Sequence, residues 1–170
     1  MTLEELLEIR MEKTAKVKWI ADRPKEYPSL IATALSNTQP MGWRAAWLLR
    51  DTMAKADKRV IPYTDKILAV LPALPEGHQR ELLKCVEVLP LDDEQEGQLF
   101  DLCVGIWERI GKQPSIRSVA LKLLVQIAKK YPELVGELDH LGADEYMEPL
   151  SPGIRRSCER MFDDLRKLRK

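Results

Sequence analysis

An internal repeat of arginine-led helical segments constrains this chain more than any other feature of its sequence. Each segment is apolar with a helical period and carries an arginine near its start. The four arginines follow one another at intervals of 36, 37 and 38 residues: Arg44, Arg80, Arg117 and Arg155. A helical hairpin that recurs at this period cannot bury its apolar face alone, so it must stack on its neighbours. The sequence therefore predicts a stack of helix pairs.

Helix-period hydrophobic patterns cover nearly all of the chain. A first helix is expected to begin at Thr2 and to continue to about Ile20. Later helices are expected at about 25–36, 40–56, 58–71, 76–89, 92–110, 114–130, 132–141 and 152–169. Prolines stand at the ends of these segments or in their first turns, where a missing N–H costs least. No two-residue alternation predicts a strand, so the expected fold class is all-α.

Several short signals mark the helix ends. Thr2 with Glu5 has the spacing of a capping box, and Asp92 with Gln95 is expected to provide an N-cap. Ser151 precedes a proline and is expected to be an N-cap. Two glycines are expected to end helices in the left-handed conformation: Gly111 and Gly142.

The composition is that of a folded, helix-rich protein of one domain. The 170 residues are 45% hydrophobic and 32% charged, with a formal net charge of +0 and a pI near 6.8. That balance argues against a protein whose main task is to neutralise phosphates, because such domains usually carry a large positive excess. Three cysteines in apolar helical contexts are expected to be free thiols in a reducing cytoplasm: Cys85, Cys103 and Cys158. With no signal-peptide pattern and no apolar run of ~18 residues, the sequence predicts a cytoplasmic protein without a membrane span.

The arrangement of these segments resembles the HEAT repeat family of armadillo-like α-solenoids. In that family the first helix of a pair tends to carry a proline and the second opens with a hydrophobic–arginine step, as at Trp43-Arg44 and Ile116-Arg117. The resemblance covers about residues 25–169 and implies a right-handed α–α superhelix of about four helix pairs after an N-terminal capping helix. It divides a single domain, 1–170, into a cap and four repeats: 1–23, 24–56, 57–90, 91–130 and 131–170. The whole chain is also similar to small bacterial HEAT-like proteins.

The resemblance implies that the arginine-led helices line the concave face of the superhelix. The polar side chains expected on that face are mixed in sign, which suits a protein or peptide partner. The leading prediction is therefore a non-enzymatic scaffold or adaptor, a monomer that binds another protein or peptide and needs no cofactor. The expected contact residues are Trp43, Arg44, Trp47, Arg50, Asp51, Arg80, Lys84, Lys122 and Arg156.

The two tryptophans of this set have two possible roles. Trp43 and Trp47 are four residues apart and share one face of their helix. They either anchor a partner, as tryptophan and arginine often do at interfaces, or fill the seam between the first and second helix pairs. The sequence leaves this choice open.

Two other function classes remain as alternatives. The stretch Trp47-Leu48-Leu49-Arg50-Asp51 resembles a Trp-x-Leu-Arg-acidic step of HEAT-like DNA alkylation-repair glycosylases, which bind duplex DNA in a basic groove. That resemblance would place Trp47 near a lesion and Arg50 near a phosphate, but the chain is electroneutral and nucleic acid is not the expected partner. The third hypothesis is a structural or regulatory subunit without a groove ligand.

No metal or phosphate site is expected from the sequence. His78 and His140 fall in different helix pairs without a third ligand at metal-binding spacing, and the glycines are too scattered for a phosphate loop. The acidic run at 92–96 is expected to offset a helix dipole, with a cation site as the alternative. Near the C-terminus, an acidic segment at 133–148 precedes a basic one at 155–170. The last helix is expected either to pair with its acidic neighbour or to present a basic pole to an acidic partner.

Overall fold

A computed structural model of the protein describes residues 1–169. Within that range it contains eleven α-helices and no strand, which confirms the all-α fold class. The α-helices are α1 (Leu3–Glu8), α2 (Lys13–Ala21), α3 (Tyr27–Ala34), α4 (Met41–Thr52), α5 (Thr64–Val70), α6 (Glu76–Glu87), α7 (Asp93–Glu108), α8 (Pro114–Lys130), α9 (Val135–Leu138), α10 (Asp144–Met147) and α11 (Pro152–Lys167). Short 3₁₀ turns flank several of them, at Pro24–Glu26, Ile61–Tyr63, Leu71–Ala73, Pro132–Leu134 and Asp139–Gly142.

Several helix boundaries follow the sequence signals, although the helix predicted at 58–71 covers only Thr64–Val70, between two 3₁₀ turns. α8 occupies the predicted range 114–130, and each repeat arginine is the fourth or fifth residue of its helix, so the predicted register is confirmed. The predicted N-caps at Thr2 and Asp92 are confirmed, and both form capping boxes, in which their side chains accept hydrogen bonds from the N–H groups of Glu5 and Gln95. Ser151 has the extended backbone of an N-cap, but its side chain makes no capping hydrogen bond.

Contacts divide the chain into two compact units, one at Met1–Leu91 and one that begins at Asp92. In the first unit α4 is the central element, since it packs against α1, α2, α3 and α6. Its residues Ala45, Ala46, Leu48 and Leu49 are fully buried, and the two alanines allow neighbouring helices to approach closely. α3 and α4 form a helical hairpin and α6 stacks beside α4, so this unit is built from stacked helix pairs.

The second unit repeats this arrangement around α8. α7 and α8 form a hairpin, and α11 packs on the other side of α8. α8 buries side chains on more than one side, as a helix between two neighbours must. The Trp107 and Phe162 rings lie 5.7 Å apart, and the indole N–H of Trp107 donates to the carbonyl of Leu141 at 2.9 Å.

The predicted first helix, Thr2 to about Ile20, is wrong. The chain forms α1 and α2 instead, and Ile9 between them is extended, with φ −70° and ψ 149°. The physical reason lies in the apolar stripe of Leu3, Leu6 and Leu7, because in a continuous helix this buried face would next contain the charged Arg10 as well as Met11. Breaking the helix lets α2 bury Trp19 and Ile20 in a new direction.

The prediction that Gly111 and Gly142 adopt the left-handed conformation is also wrong, because neither residue has a positive φ. A positive φ occurs instead at Ala56 (51°), in the loop after α4, where its N–H donates to the carbonyl of Val88 at 2.8 Å. The segment predicted as one helix at 132–141 is a 3₁₀ turn, α9 and a second 3₁₀ turn, and the short α10 was not predicted. Four-residue helices carry too little periodicity to be recognised in a sequence.

His78 is buried on α6 in the first unit, with 1% of its surface exposed. Its Nε2 lies 2.7 Å from the carbonyl oxygen of Ala34, so Nε2 carries the proton and donates. Its Nδ1 lies 2.9 Å from the side-chain nitrogen of Gln39 and accepts a hydrogen bond. The contact with Gln39 requires the neutral imidazole, because Nδ1 accepts there. Burial lowers the pKa of His78 from its ordinary value, a shift that the bond to Ala34 partly offsets.

We expect His78 to make the protein less stable as the pH falls from about 7 to 5.5. In the unfolded chain the His78 side chain takes up a proton with an ordinary pKa of ~6.5, whereas burial disfavours protonation in the folded protein. The free energy of unfolding therefore decreases as the pH falls through that value. Urea unfolding of His78→Gln at several pH values should show a weaker pH dependence than the wild type. His140→Gln, at an exposed position, is the control and should keep the wild-type dependence. An unchanged slope in His78→Gln would contradict the expectation.

Candidate functional site

The structure distributes the predicted contact residues over both units. Five lie on α4 and two on α6, all in the first unit: Trp43, Arg44, Trp47, Arg50, Asp51, Arg80 and Lys84. Lys122 on α8 and Arg156 on α11 belong to the second unit, and both are exposed. The residues that the structure brings together are therefore those of α4 and α6.

A cleft of about 340 Å³ lies between α4, the end of α1 and the start of α2. We call it the cap cleft, and it is lined by Leu7, Glu8, Ile9, Arg10, Met11, Lys16, Trp43, Arg44 and Trp47. The break between α1 and α2 forms one wall, because it leaves residues 9–12 outside any helix. Arg44 fixes this wall by donating from Nη1 to the carbonyl oxygen of Leu7 at 3.3 Å, one of the end carbonyls that α1 leaves without an intrahelical partner.

The cap cleft exposes large apolar side chains. Trp43 is 39% exposed and Ile9 is 38% exposed, while Trp47 is partly buried. Trp43 also borders a second cavity of about 350 Å³, together with Pro75 and Gly77 near the start of α6. Neither tryptophan is a core residue, and Trp43 lines both cavities. This geometry favours the anchor role for Trp43.

The charges of the cap cleft are mostly positive. Arg10, Lys16 and Arg44 line it, and Glu8 is the acidic residue among its lining side chains. Lys16 is 9% exposed, and burial lowers its pKa, with a further contribution from the nearby charge of Arg44. No residue between 1 and 169 forms an ion pair or hydrogen bond with the ammonium group of Lys16. Sequence analysis missed Lys16 because its burial depends on the direction that α2 takes after the helix break.

Three other predicted residues, Arg50, Asp51 and Arg80, belong to an ionic chain that joins α2, α4 and α6, and Lys84 is not part of it. Asp51 contacts Lys13 of α2 at 3.0 Å and Arg50 at 3.1 Å. Arg50 Nε lies 2.8 Å from a carboxylate oxygen of Glu81, but its N–H is poorly aligned with that oxygen, so this contact is an ion pair without a hydrogen bond. Arg80 completes the chain at 3.2 Å from the other oxygen of Glu81. These residues hold α2, α4 and α6 together.

The second unit has a cleft of opposite sign between α7 and the segment that starts at Tyr131. Two adjoining cavities, of about 420 and 440 Å³, share the lining residues Phe100, Asp101 and Glu137. Lys130 contacts Glu96 at 2.9 Å at the edge of this surface. We call this surface the acidic cleft.

The last helix pairs with the acidic segment that precedes it. Arg166 and Arg169 lie 3.6 and 3.1 Å from the carboxylate of Asp139, and Arg155 lies 3.9 Å from that of Asp144. These ion pairs support the first of the two roles expected for the basic C-terminal segment. They are exposed, so each contributes little to stability.

Within the described part of the chain, no three His, Cys, Asp or Glu side chains come together in a way that could hold a metal ion. All three cysteines are buried and free, as predicted. Burial raises the pKa of Cys85 to about 12 and that of Cys158 to about 11, so neither is a thiolate near neutral pH. Over residues 1–169 no helix combines the length and apolar character that crossing a bilayer requires.

Stacked helix pairs with a regular arginine register define a helical repeat protein. The chain belongs to the HEAT repeat domain family, whose model matches residues 4–165. Searches of curated proteins and of solved structures gave no match. HEAT repeat domains are helical repeat scaffolds that commonly mediate protein interactions and are generally non-enzymatic.

Proposed function

We propose that this HEAT repeat protein is a protein- or peptide-binding scaffold and that the cap cleft is its main docking site. The observation that carries the proposal is that Trp43 is exposed and lines two cavities, one of which Ile9 also lines. Tryptophan contributes most to binding when a partner covers such a ring and excludes water from it. α4 is also one of the arginine-led helices that the family pattern assigns to the concave side of the repeats.

The remaining predicted residues have different roles in this proposal. Arg50, Asp51 and Arg80 maintain the packing of α4 on its neighbours through the ionic chain, so they support the docking surface without forming its centre. Arg44 combines both roles, because it holds the end of α1 and lines the cleft. Lys84, Lys122 and Arg156 lie outside the cap cleft and are not part of the proposed site.

The test uses an array of random synthetic 12-residue peptides, probed with labelled wild-type protein and two variants. Trp43→Ala should weaken binding of the selected peptides by roughly 30-fold, since a central tryptophan contributes about 2 kcal/mol or more. Ile110→Ala is the matched control, because Ile110 is an exposed apolar residue of the second unit (48% exposed). Both variants should retain the wild-type melting temperature. An array that yields no binder, or binders unaffected by Trp43→Ala, would contradict the proposal.

The nucleic-acid hypothesis has less support. Arg50, its expected phosphate contact, is engaged by the carboxylates of Asp51 and Glu81, which a phosphate would have to displace. Binding of the protein to duplex DNA is therefore measured beside the peptide assay, at about 50 mM salt, where contacts to DNA phosphates are strong. We expect no DNA complex. A complex that Arg50→Ala abolishes would replace the scaffold proposal with the DNA-binding one.

A further inference from the structure

We propose that the cap cleft recognises a carboxylate that stands next to a large apolar side chain in an acidic segment of a partner protein. In this complex Lys16 and Arg44 contact the carboxylate, and Trp43 and Trp47 contact the apolar side chain. The inference rests on the proposed function, since it specifies the chemistry of the peptide that the scaffold binds.

The first argument is that Lys16 is buried without an ion-pair partner. A lysine is almost never so buried unless it is paired, yet Lys16 is nine-tenths buried and has no ion-pair partner among residues 1–169. Its side chain lines the cleft, where the charge of Arg44 adds repulsion to the cost of desolvation. An anion in the cleft would reduce both costs. A neutral or basic occupant would increase them.

The second argument is the geometry of Arg44. Its hydrogen bond to the carbonyl of Leu7 fixes the guanidinium at the cleft wall and leaves further N–H donors available. A guanidinium presents these donors in a planar fork that matches a carboxylate. Because the backbone of α1 already positions Arg44, little side-chain freedom is lost when a ligand binds. Arg10 adds a third positive charge at the rim, and Glu8 offsets one of the three.

The third argument is the size and apolar character of the cleft. A volume of about 340 Å³ is at the small end for ligand sites. It accommodates one large side chain and a neighbouring carboxylate, but it is too small for a helix laid along its length. Trp43 and Trp47 provide an aromatic wall, and Ile9 and Met11 face the same space. The expected occupant is therefore a short segment in which Asp, Glu or a terminal carboxylate adjoins Phe, Trp or Leu.

The experiment uses the peptides from the synthetic array whose binding depends on Trp43. Each is remade with its acidic residue replaced by the amide, and with its C-terminus either free or amidated. If a side-chain carboxylate is bound, Glu→Gln or Asp→Asn in the peptide should weaken binding about 10-fold, because a charge-assisted hydrogen bond is lost. If the terminal carboxylate is bound, amidation should have that effect instead. Either result supports the inference.

Protein variants identify the residue that contacts the carboxylate. Lys16→Met keeps the buried stem and removes the charge, so it should weaken binding of the carboxylate peptides about 10-fold and leave the amide versions unaffected. Lys84→Met is the matched control, since Lys84 is a partly buried lysine of the same unit outside the cleft. Melting curves confirm that both variants are folded. Peptides that need Trp43 but bind Lys16→Met as tightly as wild type would overturn this inference while the scaffold proposal stands, and an array without binders would overturn both.

Discussion

Arg117→Ala is expected to lower the free energy of unfolding by about 3 kcal/mol, because it removes a large buried side chain and two of its hydrogen bonds. The Arg117 side chain has no exposed surface. Its Nε donates to the carbonyl of Trp107 at 3.0 Å and its Nη2 donates to the carbonyl of Tyr146 at 2.7 Å, while the guanidinium lies 4.4 Å from the centre of the Trp107 ring. The substitution would leave two carbonyl groups without partners and a cavity beside an indole. Urea unfolding followed by circular dichroism measures the change.

The repeat offers a matched control for this prediction. Arg155 has the same register in α11, but its side chain is 41% exposed and contacts Glu159 at 3.0 Å on the surface. Arg155→Ala should cost less than about 1 kcal/mol, as is usual for an exposed ion pair. If Arg117→Ala cost as little as Arg155→Ala, the guanidinium would not join α7, α8 and α10 in the way described.

Gly42→Ala is expected to destabilise the protein by about 3 kcal/mol, although alanine is the better helix former. A Cβ at Gly42 would lie 2.3 Å from the backbone oxygen of Ser36 and 2.8 Å from Cε1 of His78. Neither neighbour can move easily, because one is main chain and the other is fixed by its hydrogen bonds to Ala34 and Gln39. Gly42 is therefore required for space in the first turn of α4.

The control for Gly42 predicts a change of opposite sign. Gly97 lies within α7, and a Cβ at this position would have no neighbour within 4 Å. Gly97→Ala should therefore stabilise the protein by about 0.5–1 kcal/mol through helix propensity and a smaller unfolded-state entropy. Thermal unfolding should raise the midpoint of Gly97→Ala and lower that of Gly42→Ala. A similar response of both variants would show that crowding at Gly42 does not determine the outcome.

The repeat of four arginines shows how far this sequence could be interpreted without a structure. Their spacing predicted the helices and the register, because every helical hairpin in a stack must bury its apolar face against its neighbours in the same way. It did not predict their surroundings: Arg44 holds the end of α1, Arg80 pairs with Glu81, Arg117 is buried, and Arg155 is exposed. For Arg44 and Arg117 the partners are distant in the sequence, whereas Arg80 and Arg155 pair with carboxylates of their own helices.

The candidate site was partly predictable for the same reason. Trp43, Arg44 and Trp47 could be selected because they lie on one short helix with an unusual composition. The opposite wall of the cap cleft could not be predicted, because it depends on a break between α1 and α2 that no proline or glycine marks. The signal that was present is the interruption of the apolar stripe after Leu7, where Arg10 occupies the position of the next buried residue.

The helix break before α2 has a consequence for how such a protein can lengthen. Every residue that lines the cap cleft lies between Leu7 and Trp47. Hairpins inserted after the second unit, or removed from it, would not alter the composition of this pocket. If the cap cleft is the docking site, ligand preference and total length could change independently, because every residue lining the cleft lies within the first 47 residues.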